Sequence, residues 1–279
     1  MSRITLPSLT LGDWKETRDT LHKYVRVIGA IRQSMTEPHP HWWHISLRIS
    51  GKGLTTTPIQ KDRAVPGQTF EIILDLVHHQ LVIDSNFTEE MRVKISGQSL
   101  SEFYEETRNL LTYIGIKFPL DKEKFHDDKS GVYDKVAASN YWIALKEINN
   151  IMNHFHSILN RERSPVQLWP HHFDLSMSWF SGRLVPDKDP KDAESSKEQM
   201  MFGFSTGDDS ITNPYFYILA YPTPDGFPDF QMPEKSRWNT NGFQGGVMMY
   251  GDFIKSDNPE ETLLNFFRTF LQETAKLMS

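Results

Sequence analysis

The spacing of apolar residues changes period several times along the chain, and each change predicts an element. From 13 to 35, Trp14, Leu21, Val25, Ile28, Ile31 and Met35 recur at helical intervals. Asp13 and Glu16 stand near the start and Arg32 near the end, as the helix dipole favours, and Pro38 and Pro40 stop the run. HWWHISLRIS (41–50) then alternates strictly, predicting a strand with Trp43, Ile45, Leu47 and Ile49 on one face and His44, Ser46 and Arg48 on the other. TFEIILDL (69–76) and QLVIDS (80–85) predict a hairpin turning at His78-His79, and MRVKIS (91–96) a further strand. Residues 99–115 open with the Ser99-to-Glu102 spacing of a capping box and close at Gly115, predicting a helix.

Residues 119–136 are charged, lack sustained periodicity and read as a connector. The order then restarts. An amphipathic helix over 138–160 carries Trp142, Leu145, Ile148, Met152, Phe155 and Leu159 on one stripe. PVQLW, HFDLSMSWF, MFGFS, PYFYILAYP and GGVMMYG follow as strand-like runs, with a charged loop at 187–200, and a helix with an early Pro259 occupies 258–278. Helices bracket runs of strands, so the predicted class is α+β with mostly antiparallel sheets. The predicted organisation is a first α+β half over 1–118, a connector over 119–136 and a second α+β half over 137–279. HISLRISGK resembles DLSMSWFSGR, with His44 falling on Asp174 and Ser46 on Ser176, which makes an internal duplication a candidate.

Composition narrows the classes of function. The 279 residues are long enough for a sizeable core, and 38% hydrophobic with 12% aromatic content excludes wholesale disorder. The formal charge is -6 with no long basic run, which argues against a nucleic-acid partner. The absence of cysteine removes disulfides, thiolate metal sites and cysteine nucleophiles. Neither a signal-peptide core nor a stretch of transmembrane length is present, so the expectation is a cytoplasmic protein without a membrane partner.

Several segments together carry a family resemblance: TLHKYVRVIGAIR, HWWHISLRISGKGLTTTPI, FEIILDLVHHQLVI and SLSEFYEE in the first half, then SPVQLWPHHFDLSMSWFSGR, FGFSTGD and PYFYILAYPTPDGF in the second. From about residue 14 to the last helix the chain resembles a family of uncharacterised proteins catalogued as domain of unknown function 5996. Many relatives place Phe-Phe-Trp-Gly-Ser before Phe-Asp-Leu, where this chain has Leu-Trp-Pro-His-His, so a role for His171 or His172 would not extend to all of them. The resemblance implies organisation and no chemistry.

Complete catalytic signatures are missing. SGKGLTTT (50–57) lacks phosphate-loop spacing and reads as a turn between strands, and no Gly-x-Ser-x-Gly elbow or His-Glu-x-x-His pair occurs. What remains is a polar row. If HHFDLSMSWF is extended from its first residues, His172, Asp174, Ser176 and Ser178 share a face. His44 and Arg48 offer an equivalent row, FEIILDL adds Glu71 and Asp75, and PYFYILAY adds Tyr215, Tyr217 and Tyr221. Such a face reads as a wet or internally hydrogen-bonded sheet surface, or as a cleft between the halves. On the cleft reading the protein binds a small molecule or partner, with Arg48, Glu71, Asp75, Tyr215, Tyr217 and Tyr221 as ligand-binding candidates. The alternative is an enzyme in which His172, Asp174 and His44 perform general acid–base or metal-assisted hydrolytic chemistry. No cofactor is identified, no dedicated metal motif is present, and oligomeric state is not encoded in any pattern.

Overall fold

A computed structural model describes residues 5–62, 66–225, 227 and 230–278. Among these the chain is α+β, with five α-helices and two antiparallel sheets. It divides into two compact units, one of Trp14–Trp142 with Leu168–Phe173, the other of Met1–Asp13, Ile143–Gln167 and Asp174–Ser279.

In the first unit, α1 (Leu11–Met35) buries Trp14, Leu21, Val25, Ile28 and Ile31 of the predicted stripe, together with Tyr24, while Met35 is half-buried. The sheet follows in chain order as β1 (Arg48–Ile49), β2 (Gly53–Thr55), β4 (Thr69–Asp75), β5 (Gln80–Ser85) and β6 (Met91–Lys94). A side strand, β3 (Ile59–Gln60), pairs with β4. Phe70, Ile72 and Leu74 alternate with Thr69, Glu71 and Ile73, and only the first set is fully buried. The cross-strand pairs Leu74↔Leu81 and Ile72↔Ile83 extend that buried face onto β5. Helix α2 (Leu100–Tyr113) lies against β5 and begins with the expected capping box, in which the Ser99 hydroxyl accepts from Glu102 N and Ser99 N donates back to the Glu102 carboxylate. Tyr24 of α1 stacks on Phe103 of α2 at 3.9 Å and donates its hydroxyl to Gln98 O at 2.7 Å.

Residues 119–136 lie within this unit. Phe125 stacks on Tyr104 at 5.2 Å, Lys23 pairs with Asp127 at 2.6 Å, and Tyr133 meets His79 Nδ1 at 2.8 Å. The segment has anchors too widely spaced to make a period.

Helix α3 (Lys135–Ile158) crosses the division after Trp142. The strands that follow are β7 (Gln167–Trp169), β8 (Asp174–Leu184), β9 (Lys197–Ser205), β10 (Tyr215–Tyr221), β11 (Ser236–Asn239) and β12 (Gly245–Met249). They form a sheet in the order β11-β12-β10-β9-β8-β7, and a short α4 (Tyr250–Phe253) and α5 (Pro259–Leu277) complete the chain. Phe155 of α3, Phe202 of β9 and Phe267 of α5 meet with centroids 4.9–5.4 Å apart, so the core of the second unit sits between this sheet face and its helices.

The internal duplication is not confirmed. The first sheet keeps chain order apart from its side strand, whereas the second exchanges its last two strands.

Two sequence expectations change locally. The strand expected over 41–50 shrinks to β1, preceded by a 3-10 turn, Trp43–Ile45, and Gly53–Thr55, expected as turn, is strand. Trp42 enters the left-handed region at φ 58°, and Trp43 stacks on His39 at 4.3 Å and on His41 at 5.4 Å. The alternation of HWWH thus serves a local ring stack. The second change concerns His172, which lies in a turn before β8 and not on the strand. Phe173 closes that turn at φ 56°, donating its N–H to Trp169 O at 2.8 Å. Its buried ring packs on His22 and Tyr141.

Candidate functional site

Within the first unit, register sets which polar groups share a face. Arg48 stands opposite Thr55, and Thr55 opposite Ile73, so Arg48, Thr55 and Glu71 project from the same side. The Thr55 hydroxyl donates to the Glu71 carboxylate and also accepts Thr57 N–H at 2.8 Å. Thr57, β-branched, is held in the left-handed region at φ 59°, a conformation that costs of order 1–3 kcal/mol and persists only where surroundings impose it. Its hydroxyl accepts from Arg32 Nη1 at 2.9 Å, while Arg32 Nε donates to His44 O at 2.9 Å. Arg32, on the last turn of α1, thereby ties the 3-10 turn to the end of β2.

The electrostatics of this cluster are cationic. Burial, followed by the neighbouring Arg48 guanidinium, holds Arg32 down to about 10, still fully charged at neutral pH. Burial also lowers Arg48. The His44 ring is kept below its ordinary value by burial, then by His39 and Arg32. His44 Nδ1 accepts His39 N–H at 3.0 Å, so the neutral ring carries its proton on Nε2.

The other candidates divide between scaffold and network. Asp75 belongs to the β4–β5 turn: Oδ1 accepts Val77 N–H and His78 N–H at 3.0 and 2.8 Å, and Oδ2 meets His78 Nδ1 and Gln80 Nε2 at 2.8 and 3.2 Å. Burial alone would raise its pKa, but these bonds bring it below the usual carboxylate value. The exposed His171 and His172 rings stand 4.3 Å apart, and the carbonyls of Pro170 and His171 receive His22 Nε2 at 3.0 and 3.2 Å.

In the second unit Tyr217 donates its hydroxyl to the buried Asp174 carboxylate, and Tyr215 donates to Asp208. Ser176, Gly203 and Tyr217 occupy one row across β8, β9 and β10. The Tyr217 ring crosses β9 over Gly203, whose missing Cβ leaves the space, and so reaches β8. Burial, then the Asp174 charge, raises the Tyr217 pKa well above the ordinary value, which keeps the phenol protonated. Tyr221 is not part of this group: it lies four residues along β10 and donates to Ser195 O at 3.3 Å.

The structure thus joins Asp174 to Tyr217 and sets Arg48, Thr55 and Glu71 on one sheet face, while Asp75 and Tyr221 are engaged elsewhere. Sequence reasoning missed Arg32 and Thr57. Arg32 sits where a helix-dipole role explains it, and a left-handed threonine leaves no pattern in sequence. The rings of the His78–Asp75, His126–Asp128 and His154–Glu260 contacts are exposed. Among the described residues, no group of three or more histidine, aspartate or glutamate side chains is placed to hold a metal ion, and no helix is long and apolar enough to cross a membrane.

Neither the curated proteins nor the solved structures contain a match to the chain. A family model does match, over residues 6–279, in keeping with the segments quoted from both halves; the chain therefore belongs to the family of unknown function DUF5996.

Proposed function

We propose that the protein binds a small polar molecule, and that Arg48, His44 and Glu71 belong to the binding surface. The observation that carries this reading is the arrangement of Arg48, Thr55 and Glu71 on one sheet face beside a half-buried Arg32 held by a strained Thr57. Stability alone has no need of two adjacent, partly desolvated guanidinium groups, since each is costly to remove from water. Strain of the kind at Thr57 clusters at ligand clamps. Binding is favoured over general acid–base catalysis because an acid–base pair needs a histidine within reach of a carboxylate. In the His78–Asp75, His126–Asp128 and His154–Glu260 pairs the ring is exposed.

The test is a thermal-shift screen of a metabolite set against the wild-type chain and Arg48→Gln. A compound that raises the melting temperature of the wild type, and loses that effect in the variant, supports the reading. A screen in which no compound distinguishes the two proteins overturns it.

A further inference from the structure

We infer that the ligand site of the first unit takes an oxyanion, a carboxylate or a phosphate group, with Arg32 as its principal partner and His44 Nε2–H as a second donor. The inference rests on the binding reading above and names its ligand class. Three features of the Arg32 environment carry it.

First, Arg32 is a half-buried cation whose hydrogen bonds go to neutral acceptors, the His44 carbonyl and the Thr57 hydroxyl. Among the described residues no carboxylate stands within ion-pair distance of it. A guanidinium has five N–H donors in a rigid fork, and these two contacts use Nε and one hydrogen of Nη1. Both hydrogens of Nη2 and the second of Nη1 are left to donate to the oxygens of a carboxylate or phosphate.

Second, the local field has the sign an anion needs. Arg48 is close enough to Arg32 to depress its proton affinity, and both Arg32 and His39 act on the His44 ring in the same sense. An anion among them would relieve that repulsion. The Glu71 carboxylate, on the same sheet face, is oriented toward the Thr55 hydroxyl.

Third, the donors are fixed before any ligand arrives. The His39 N–H bond to Nδ1 sets the His44 tautomer, and Trp42 stacks on that ring at 5.5 Å. Arg32 is clamped at two of its nitrogens, so little side-chain freedom is left to lose on binding.

The experiment is a titration of the full-length wild-type protein with inorganic phosphate and, separately, succinate. Ribose serves as a neutral control, and ionic strength is held constant with chloride. Two-dimensional NMR follows the Arg32 Nε–H and the His44 ring, with Arg32→Lys used for assignment. The expected result is a saturable shift of both signals by one or both anions, none with ribose, and an upward move of the His44 pKa in the bound state. Affinity should fall about tenfold or more in Arg32→Lys, which retains charge but loses the fork. The two anions separate a phosphate ligand from a carboxylate one. Because the titration uses the wild type, it stands even if an Arg32 variant folds poorly. Absence of any saturable shift with both anions overturns the oxyanion assignment. If the metabolite screen then yields an uncharged or cationic compound that depends on Arg48, the binding reading survives alone; if it yields nothing, both fall.

Discussion

Tyr217 illustrates how a single residue in this protein can be read in two ways until its partner is known. Its phenol is one of three in an alternating run, and only the structure shows that the proton is committed to Asp174. Tyr217→Phe should therefore destabilise the fold by about 1–3 kcal/mol, because a buried carboxylate loses a donor. Urea unfolding measures this, and a change near zero would mean that the bond contributes nothing. Histidines give a second prediction at this scale. His22 and His44 are both held below their ordinary pKa, in each case chiefly by burial. Below about pH 6.5 the unfolded chain then binds more protons than the folded one, so stability falls as the solution is acidified through that value. His22→Gln keeps a donor for the Pro170 and His171 carbonyls and removes one titrating ring. Its melting temperature should decline less steeply than that of the wild type between about pH 7 and pH 5.5. An unchanged slope would exclude His22 as a contributor.

At the scale of elements, two glycines decide how neighbouring pieces fit. Gly203 lies under the Tyr217 ring, and Gly29 of α1 lies against the Pro170 ring in the turn before β8. A Cβ at either position would overlap a ring that is itself held in place, so Gly203→Ala and Gly29→Ala should each cost about 1–3 kcal/mol. Gly203→Ala should in addition expose the Tyr217 phenol, visible as increased ultraviolet absorbance change on alkaline titration at moderate pH. A wild-type titration curve would show that the ring had found another path. The capping box of α2 was legible in sequence because Ser99 and Glu102 interact only with their own chain segment. The β4–β5 hairpin was legible for the same reason, although Asp75, the residue that fastens its turn, read as a ligand-binding group. From sequence alone a carboxylate beside a turn and one beside a ligand look alike.

For the whole molecule, charge is the property that composition controls. The formal charge is -6 with 11 histidines counted as neutral, so protonating about half of them cancels it. Solubility should pass through a minimum in the range where histidines titrate, near pH 6, and recover above pH 7. A minimum well below pH 5 would contradict this. Beyond charge, sequence periodicity by itself determined the class of the fold, the long helices, the β4–β5 hairpin and the longer alternating strands, because each depends on burying one face of a local repeat; the short β1, β2, β3 and β11 carry too few residues to show a period. Periodicity also picked out Arg48, Glu71, Asp174 and Tyr217 as polar groups available for a site, but not Arg32 or Thr57. The tertiary structure alone decided that His172 leaves the strand pattern for a turn, since left-handed backbone at Phe173 is stabilised by packing of its ring on the distant His22 and Tyr141; His44 leaves it in a 3-10 turn that follows the left-handed Trp42, beside the local Trp43–His39 stack. It alone brought Arg32 to Arg48 and Thr57, and Tyr217 to Asp174. Those contacts join positions 16 to 43 residues apart, beyond the reach of any local period, and they arise from strand register and helix docking, which depend on the shape of the whole core.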